Sequence, residues 1–166
     1  MRRFLRPRIL WPVGIVLAGL IAFVLLYFEP QTAFIDHTAN DAPVAGTATE
    51  ATEFVGLEHD GSGRVLLVTA EDGTVVVRIE GLDTSNGPDL KVYLSANPVD
   101  GPGGAFDDDA ISLGGLRGNL GDQNYTVPAG TDLSRFASVV VWCDRFDAAF
   151  TAAPLPALDA DGAVSG

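Results

Sequence analysis

Arg64-Val65-Leu66-Leu67-Val68-Thr69, Glu71-Asp72-Gly73 and Thr74-Val75-Val76-Val77-Arg78-Ile79 read as two β-branched runs hinged on an Asp-Gly pair. That pattern is a strong β-hairpin signal, because Asp-Gly accepts the positive φ angles of a tight turn. Side chains alternate along a strand, so Val75, Val77 and Ile79 share one face, and Thr74, Val76 and Arg78 share the other.

The same reading extends in both directions. Phe54-Val55-Gly56-Leu57 leads into the turn cluster His59-Asp60-Gly61-Ser62-Gly63. Asn86-Gly87-Pro88 precedes Leu90-Lys91-Val92-Tyr93-Leu94, in which Leu90, Val92 and Leu94 oppose Lys91 and Tyr93. Residues 123–127 and 138–142 form two more strands, and Phe146, Ala148 and Phe150 alternate as a last one. No stretch after residue 50 carries a long helical period; Asp132 to Phe136 suits one turn, capped by Thr131 or Asp132. The reading is an all-β fold: an antiparallel sandwich or barrel of about eight short strands over residues 52–156. The long loop from Asn97 to Ala110 holds Gly101, Gly103, Gly104 and Asp107-Asp108-Asp109.

The flanks differ from this domain. Ile9 to Phe28 is a run of 20 residues without a charge. At about 1.5 Å per residue it reaches roughly 30 Å, a hydrocarbon core's thickness, so residues 9–28 are read as one transmembrane helix. Trp11 and Tyr27 sit at its two ends as interfacial aromatics. Arg2, Arg3, Arg6 and Arg8 precede it and Glu29 follows, which places the basic stretch 1–8 in the cytoplasm and the domain outside. A cleaved signal peptide is the alternative, but Leu25-Leu26-Tyr27-Phe28 is too bulky for a cleavage site. Residues 29–51 are read as a flexible linker, with His37 given no role, and 157–166 as an acidic disordered tail.

Composition excludes several functions. The formal charge is −12, and beyond the N-terminal arginines 22 acids face six bases, so nucleic acid is not expected as a partner. One cysteine excludes an internal disulfide and an all-cysteine zinc site. No G-x-S-x-G elbow is present, and the glycine-rich loops do not lie between a strand and a long helix. Asp107-Asp108-Asp109 departs from a calcium-loop pattern and reads as a solvated acidic loop, so no metal site is assigned.

Cys143 is the most informative residue. It ends the apolar strand Ser138-Val139-Val140-Val141-Trp142, and alternation sets it with Val139 and Val141, opposite Trp142. A free cysteine is most often a small buried hydrophobe. Outside the cytoplasm an exposed thiol oxidises or pairs, so a retained one points to full burial, to redox use or to ligation. Neighbouring Asp144 would raise its pKa and Arg145 would lower it. His59 is the candidate partner, able as a neutral imidazole to ligate a metal or haem iron; an isolated turn histidine more often bonds to backbone.

These residues also occur in a familiar order. His59-Asp60-Gly61-Ser62-Gly63-Arg64-Val65, Gly87-Pro88-Asp89-Leu90-Lys91-Val92-Tyr93-Leu94, Gly121-Asp122-Gln123-Asn124-Tyr125-Thr126-Val127-Pro128, and Val141-Trp142-Cys143-Asp144-Arg145-Phe146 with Phe150 follow one another. Together they resemble the electron-transfer DM-thirteen domain over roughly residues 47–155, with Thr151 standing where that family often has glycine. The resemblance implies an all-β domain akin to the haem- and sugar-binding sandwiches of extracellular redox systems. It implies a cysteine, here Cys143, acting as a free thiol or holding a prosthetic group, and a histidine position at His59. The cofactor stays open between haem and none. From the residues themselves, Gly87 supplies a positive φ, Asp89 closes the turn, and Trp142, Phe146 and Phe150 fill the core.

The expectation is therefore a single-pass membrane protein with an extracytoplasmic redox or electron-transfer module centred on Cys143, with His59 beside it and an extracytoplasmic redox protein as partner. One Lys against nine Arg, and the anchor-linker-domain plan, suggest a bacterial surface. A non-catalytic ligand-binding or assembly module, with Cys143 as core, is the alternative. A surface enzyme using carboxylates is a third reading.

Overall fold

Asp72-Gly73 turns the chain back on itself. Gly73 takes a φ of 83°, its N–H donates to the Ala70 carbonyl at 2.9 Å, and the Ala70 N–H donates to the Thr74 carbonyl at 2.9 Å. The Asp72 carboxylate accepts the Thr74 N–H at 2.9 Å, and that bond holds its pKa below the usual value. The hairpin belongs to a computed structural model that describes residues 7–27, 35–102 and 106–157, with side chains from residue 11 onward.

Among the described residues one α-helix, α1 (Pro7–Tyr27), precedes eleven strands. Four are short: β1 (Thr38–Asn40), β2 (Gly46–Ala48), β3 (Thr52–Glu53) and β4 (Val55–Gly56). Seven are longer: β5 (Gly61–Ala70), β6 (Val75–Thr84), β7 (Leu90–Ser95), β8 (Ala110–Gly115), β9 (Leu120–Thr126), β10 (Ser138–Cys143) and β11 (Ala148–Pro154). The first sheet runs β1-β9-β6-β5-β2, with β3 also on β5; the second runs β4-β11-β10-β7-β8. Every pair is antiparallel except β1 with β9. Neither sheet closes on itself among the described residues, so of sandwich and barrel the fold is the sandwich. Residues 9–28, read as a transmembrane helix, fall largely in α1, and that reading finds no support here: among the described residues no helix is long and apolar enough to cross a membrane.

The main core lies between the sheets. Val65, Leu67, Val77 and Ile79 from the first sheet meet Val92, Leu94, Val139 and Val141 from the second, all fully buried. Val77 and Ile79 point inward together, and so do Leu90, Val92 and Leu94, as alternation required. A smaller cluster covers the outer face of the second sheet, where Phe106, Val140, Trp142, Ala149 and Ala152 pack with Tyr93 and Val99. Phe106 and Val99 come from the long loop and cover the sheet, while Asp107, Asp108 and Asp109 are exposed to solvent, as read from the sequence.

Several expectations change. The stretch 29–51, read as a flexible linker, contributes β1 and β2 to the first sheet. Its cohesion is polar, so it lacks apolar periodicity: the His37 N–H donates to the Asn119 side chain at 2.8 Å, the Asn124 N–H donates to the Asp41 carboxylate at 2.8 Å, and Arg117 pairs with Asp41. Arg78, on the face opposite Val77 and Ile79, is only 3% exposed beneath this stretch. Its guanidinium meets Asp122 at 2.8 Å and Glu80 at 2.9 Å, the Asn124 side chain at 3.0 Å, and the Asp41 and Ala42 carbonyls. Phe146, expected in the last strand and in the core, lies in the turn before β11 and is half exposed. The expected single turn is present: Asp132 accepts the Ser134 N–H and caps a 3-10 turn over Leu133–Arg135. The stretch 1–6 and the tail beyond residue 157 lie outside the described residues.

Candidate functional site

Cys143 is the last residue of β10, directly opposite Leu90 at the start of β7. It lies with Val139 and Val141 in the main core, while Trp142 joins the outer cluster. The two pieces of chain stay together past the strand ends, because the Asp144 N–H donates to the Asp89 carbonyl at 3.2 Å. The turn before β7 is thereby drawn across the end of β10. The Cys143 thiol donates to the Pro88 carbonyl at 3.0 Å, and the side chain is completely buried.

The turn keeps this path through two backbone features. Asp89 takes a left-handed φ of 59°, which Asp tolerates better than most residues. Gly87 does not have a positive φ, contrary to the reason first given for it. It is needed for close approach, since a Cβ there would lie 2.9 Å from the Phe150 ring. The His59 ring packs on Phe150: its centroid lies 3.9 Å from that of the phenyl ring, tilted by 32°. The His59 N–H donates to the Phe150 carbonyl at 3.3 Å. Next to it Thr151 is buried, and its hydroxyl donates to the Val55 carbonyl at 2.7 Å, holding β4 to β11. A Cβ on Gly61 would strike that same hydroxyl.

Burial pushes the Cys143 pKa up, since a thiolate loses its hydration there. The N–H groups of Phe146 and Arg145 oppose this, as does the Arg145 guanidinium, while Asp89 reinforces it. The sulfur is therefore a protonated thiol at neutral pH, with two amides placed to stabilise negative charge. Just outside, Asp144 accepts the Tyr93 hydroxyl at 2.9 Å and pairs with Lys91. Burial and the Asp144 bond raise the Tyr93 pKa.

The structure thus brings both candidate residues to one end of the sandwich without joining them as ligands. No hydrogen bond links His59 to Cys143, and among the described residues no group of three or more His, Cys, Asp or Glu is placed to hold a metal ion. A haem does not fit this geometry: the sulfur is enclosed and bonded to a carbonyl, and the imidazole is stacked on Phe150. A cleft of about 420 Å³ lies at the opposite end, between the 72–75 turn and the 126–133 loop. Sequence reasoning missed the Pro88 carbonyl and the Arg145 and Phe146 amides, which are backbone groups without a residue signature. The Gly87-Pro88-Asp89 turn was the available signal.

The family model described as electron transfer DM13 matches residues 53–155, from β3 through the end of β11. The chain belongs to that family, and the earlier resemblance, drawn over roughly residues 47–155, is the same domain. No curated protein and no solved structure matches the chain.

Proposed function

From this membership we propose that the chain is an extracytoplasmic electron-transfer module held at the cell membrane by α1, with Cys143 as its redox-active group. The family supports the reaction class. One observation carries the choice of residue: stretches that are distant in sequence converge on the sulfur end of β10. Pro88 accepts the thiol, Gly87 lies against Phe150, and His59 stacks on Phe150. As burial keeps the sulfur protonated, loss of an electron to an extracytoplasmic redox partner is coupled to loss of the S–H proton. The Pro88 carbonyl accepts a hydrogen bond but is no base, so the proton leaves to water once the 86–89 turn lifts. With the proton gone, the Arg145 and Phe146 amides stabilise the thiolate, from which the electron passes to the partner and leaves a neutral thiyl radical.

The anchor reading rests on length and exposure. The 21 residues of α1 reach about 31 Å, against about 30 Å of hydrocarbon. Its apolar side chains from Trp11 to Tyr27 are exposed all round, a surface that lipid solvates and water does not. Arg2, Arg3, Arg6 and Arg8 favour a cytoplasmic N-terminus.

Voltammetry of the full chain in detergent tests the redox group. The wild type is expected to give a redox wave that Cys143→Ala lacks while its circular dichroism is unchanged. The same wave in the variant, or none in the wild type, rejects Cys143. A binding or assembly module with Cys143 as core is the second reading, favoured by the sulfur's complete burial. It requires that no thiol reagent react before global unfolding.

A further inference from the structure

Among the described residues, the large apolar side chains exposed outside α1 are Ile35, Val55, Leu57 and Phe146, between 37% and 50% exposed. Single exposed hydrophobics need no explanation, but Ile35, Leu57 and Phe146 gather at the Cys143 end, with Val55 farther along the β4 edge at the level of Val140. Phe146 is in the turn after Cys143. The Leu57 N–H donates to the Phe150 carbonyl, and Val55 is two residues back on β4, beside Ala152. The Ile35 carbonyl accepts the Asn86 side chain, next to the turn over Cys143. The opposite end, with the 72–75 turn and the 126–133 loop, has no such side chain among the described residues.

Two further observations concern the route of the chain. Ile35 follows Tyr27 by eight positions, which span at most about 28 Å when fully extended. The chain therefore enters the sandwich at its Cys143 end within a short reach of the helix. Arg145, beside Phe146, donates to the Tyr27 carbonyl, and its guanidinium lies 5.4 Å from the Tyr27 ring centroid. A helix leaves its last carbonyls without partners and carries partial negative charge there, and α1 has no basic residue in its last turn. The domain supplies that cation.

We infer that the Cys143 end of the sandwich seats on the lipid surface, with the 144–147 turn and Leu57 in the headgroup region of a zwitterionic bilayer. The inference rests on the reading of α1 as a membrane span. Charge selects the lipid class: Glu58, Asp60 and Asp147 are exposed at this end, and Lys91 is paired with Asp144. Anionic headgroups would meet like charge, so apolar contact with neutral lipid holds the end down.

The test uses the full chain in phosphatidylcholine nanodiscs, with a nitroxide at Phe146→Cys, Leu57→Cys or Ala129→Cys in a Cys143→Ala background. Ala129 is exposed at the opposite end. Collision with a water-soluble nickel chelate should be several-fold lower at 146 and 57 than at 129, and collision with lipid-soluble oxygen higher. Equal accessibility at the three positions overturns the inference. Arg145→Ala should lessen the shielding at 146. Replacing part of the lipid with phosphatidylglycerol should also lessen it, and an increase would overturn the choice of neutral lipid. Alkaline carbonate extraction separates the two readings: release of the chain from vesicles rejects the span and the seating with it, whereas retention with equal accessibility rejects the seating alone. Phe146→Trp in a Trp11→Phe chain, quenched by brominated phosphatidylcholine, gives the same readout with Cys143 kept.

Discussion

Both sheets of the sandwich are covered on their outer faces, by opposite chemistry. On the second sheet the cover is apolar, with Phe106 from the long loop lying on Trp142 and Val140. On the first it is polar, with the 38–48 stretch enclosing Arg78 among carboxylates, amides and carbonyls. An apolar cover contributes in proportion to area removed from water and tolerates small shifts. A polar cover is held by geometry, and losing one partner leaves the others unsatisfied. The sheet that carries Cys143 is the one with apolar material on both faces.

The largest effects should come from the apolar cover. Trp142→Ala and Phe106→Ala should each destabilise by about 3–5 kcal/mol in urea denaturation, because both side chains are essentially fully buried. An effect below about 1 kcal/mol for Phe106→Ala would break the comparison, since the loop would then be only resting on the sheet.

Arg78 comes next. Arg78→Ala should cost about 3 kcal/mol, the lower end of the range for breaking a buried pair, because Asp122 keeps 40% of its side chain exposed. Arg78→Met should recover part of this by refilling the space without a charge. If Met is as damaging as Ala, the guanidinium bonds hold the cover, and the polar character of that face is essential.

What was readable in the sequence follows the same division. The inner faces were legible because alternation in Val75 to Ile79 and Leu90 to Leu94 is a local pattern with one cause. The family could be named from motif order, and Cys143 was placed on its proper face. The polar cover was not legible: β1 joins β9 through backbone and through Asp41, Asn119 and Asn124, residues that also read as linker. Phe106 was hidden by the glycines and aspartates around it. Phe146 was misplaced because β11 starts at Ala148 after a turn in which Asp147 takes a left-handed φ of 55°. The enclosure of Cys143 by a carbonyl had no residue signature.

Cys143 tests the doubly covered sheet at its end. Cys143→Ser should lower stability by about 1–3 kcal/mol, because a hydroxyl is more costly to bury than a thiol; Cys143→Ala should lower it less. The pH dependence has a definite sign. The unfolded thiol ionises near pH 8.5, and burial raises the folded value, so the contribution is complete below about 8.5 and is lost as pH rises through the folded pKa. Tyr125, also raised by burial, adds a loss of the same sign from about pH 10 upward. Urea melts from pH 7 to 10 should show the earlier loss in the wild type and not in Cys143→Ala. Identical profiles would mean that the thiol is wetter than its enclosure implies.

The smallest expected effect sharpens the comparison most directly, because it uses one carboxylate with two arginines. Glu80 pairs with Arg64 and with Arg78, at 2.9 Å in each case. The Arg64 side chain is 59% exposed and that of Arg78 is 4% exposed, so distance is matched and only solvation differs. An exposed pair loses most of its Coulomb energy to water and orders two long side chains to form, which leaves about 0.2–1 kcal/mol. Arg64→Ala should therefore change stability by no more than that, and added salt should shrink the difference further. Arg78→Ala should keep most of its effect in the same salt. If the two variants respond alike in size and in salt dependence, burial beneath the 38–48 stretch does not distinguish the arginines, and the polar face is a solvated surface rather than a cover.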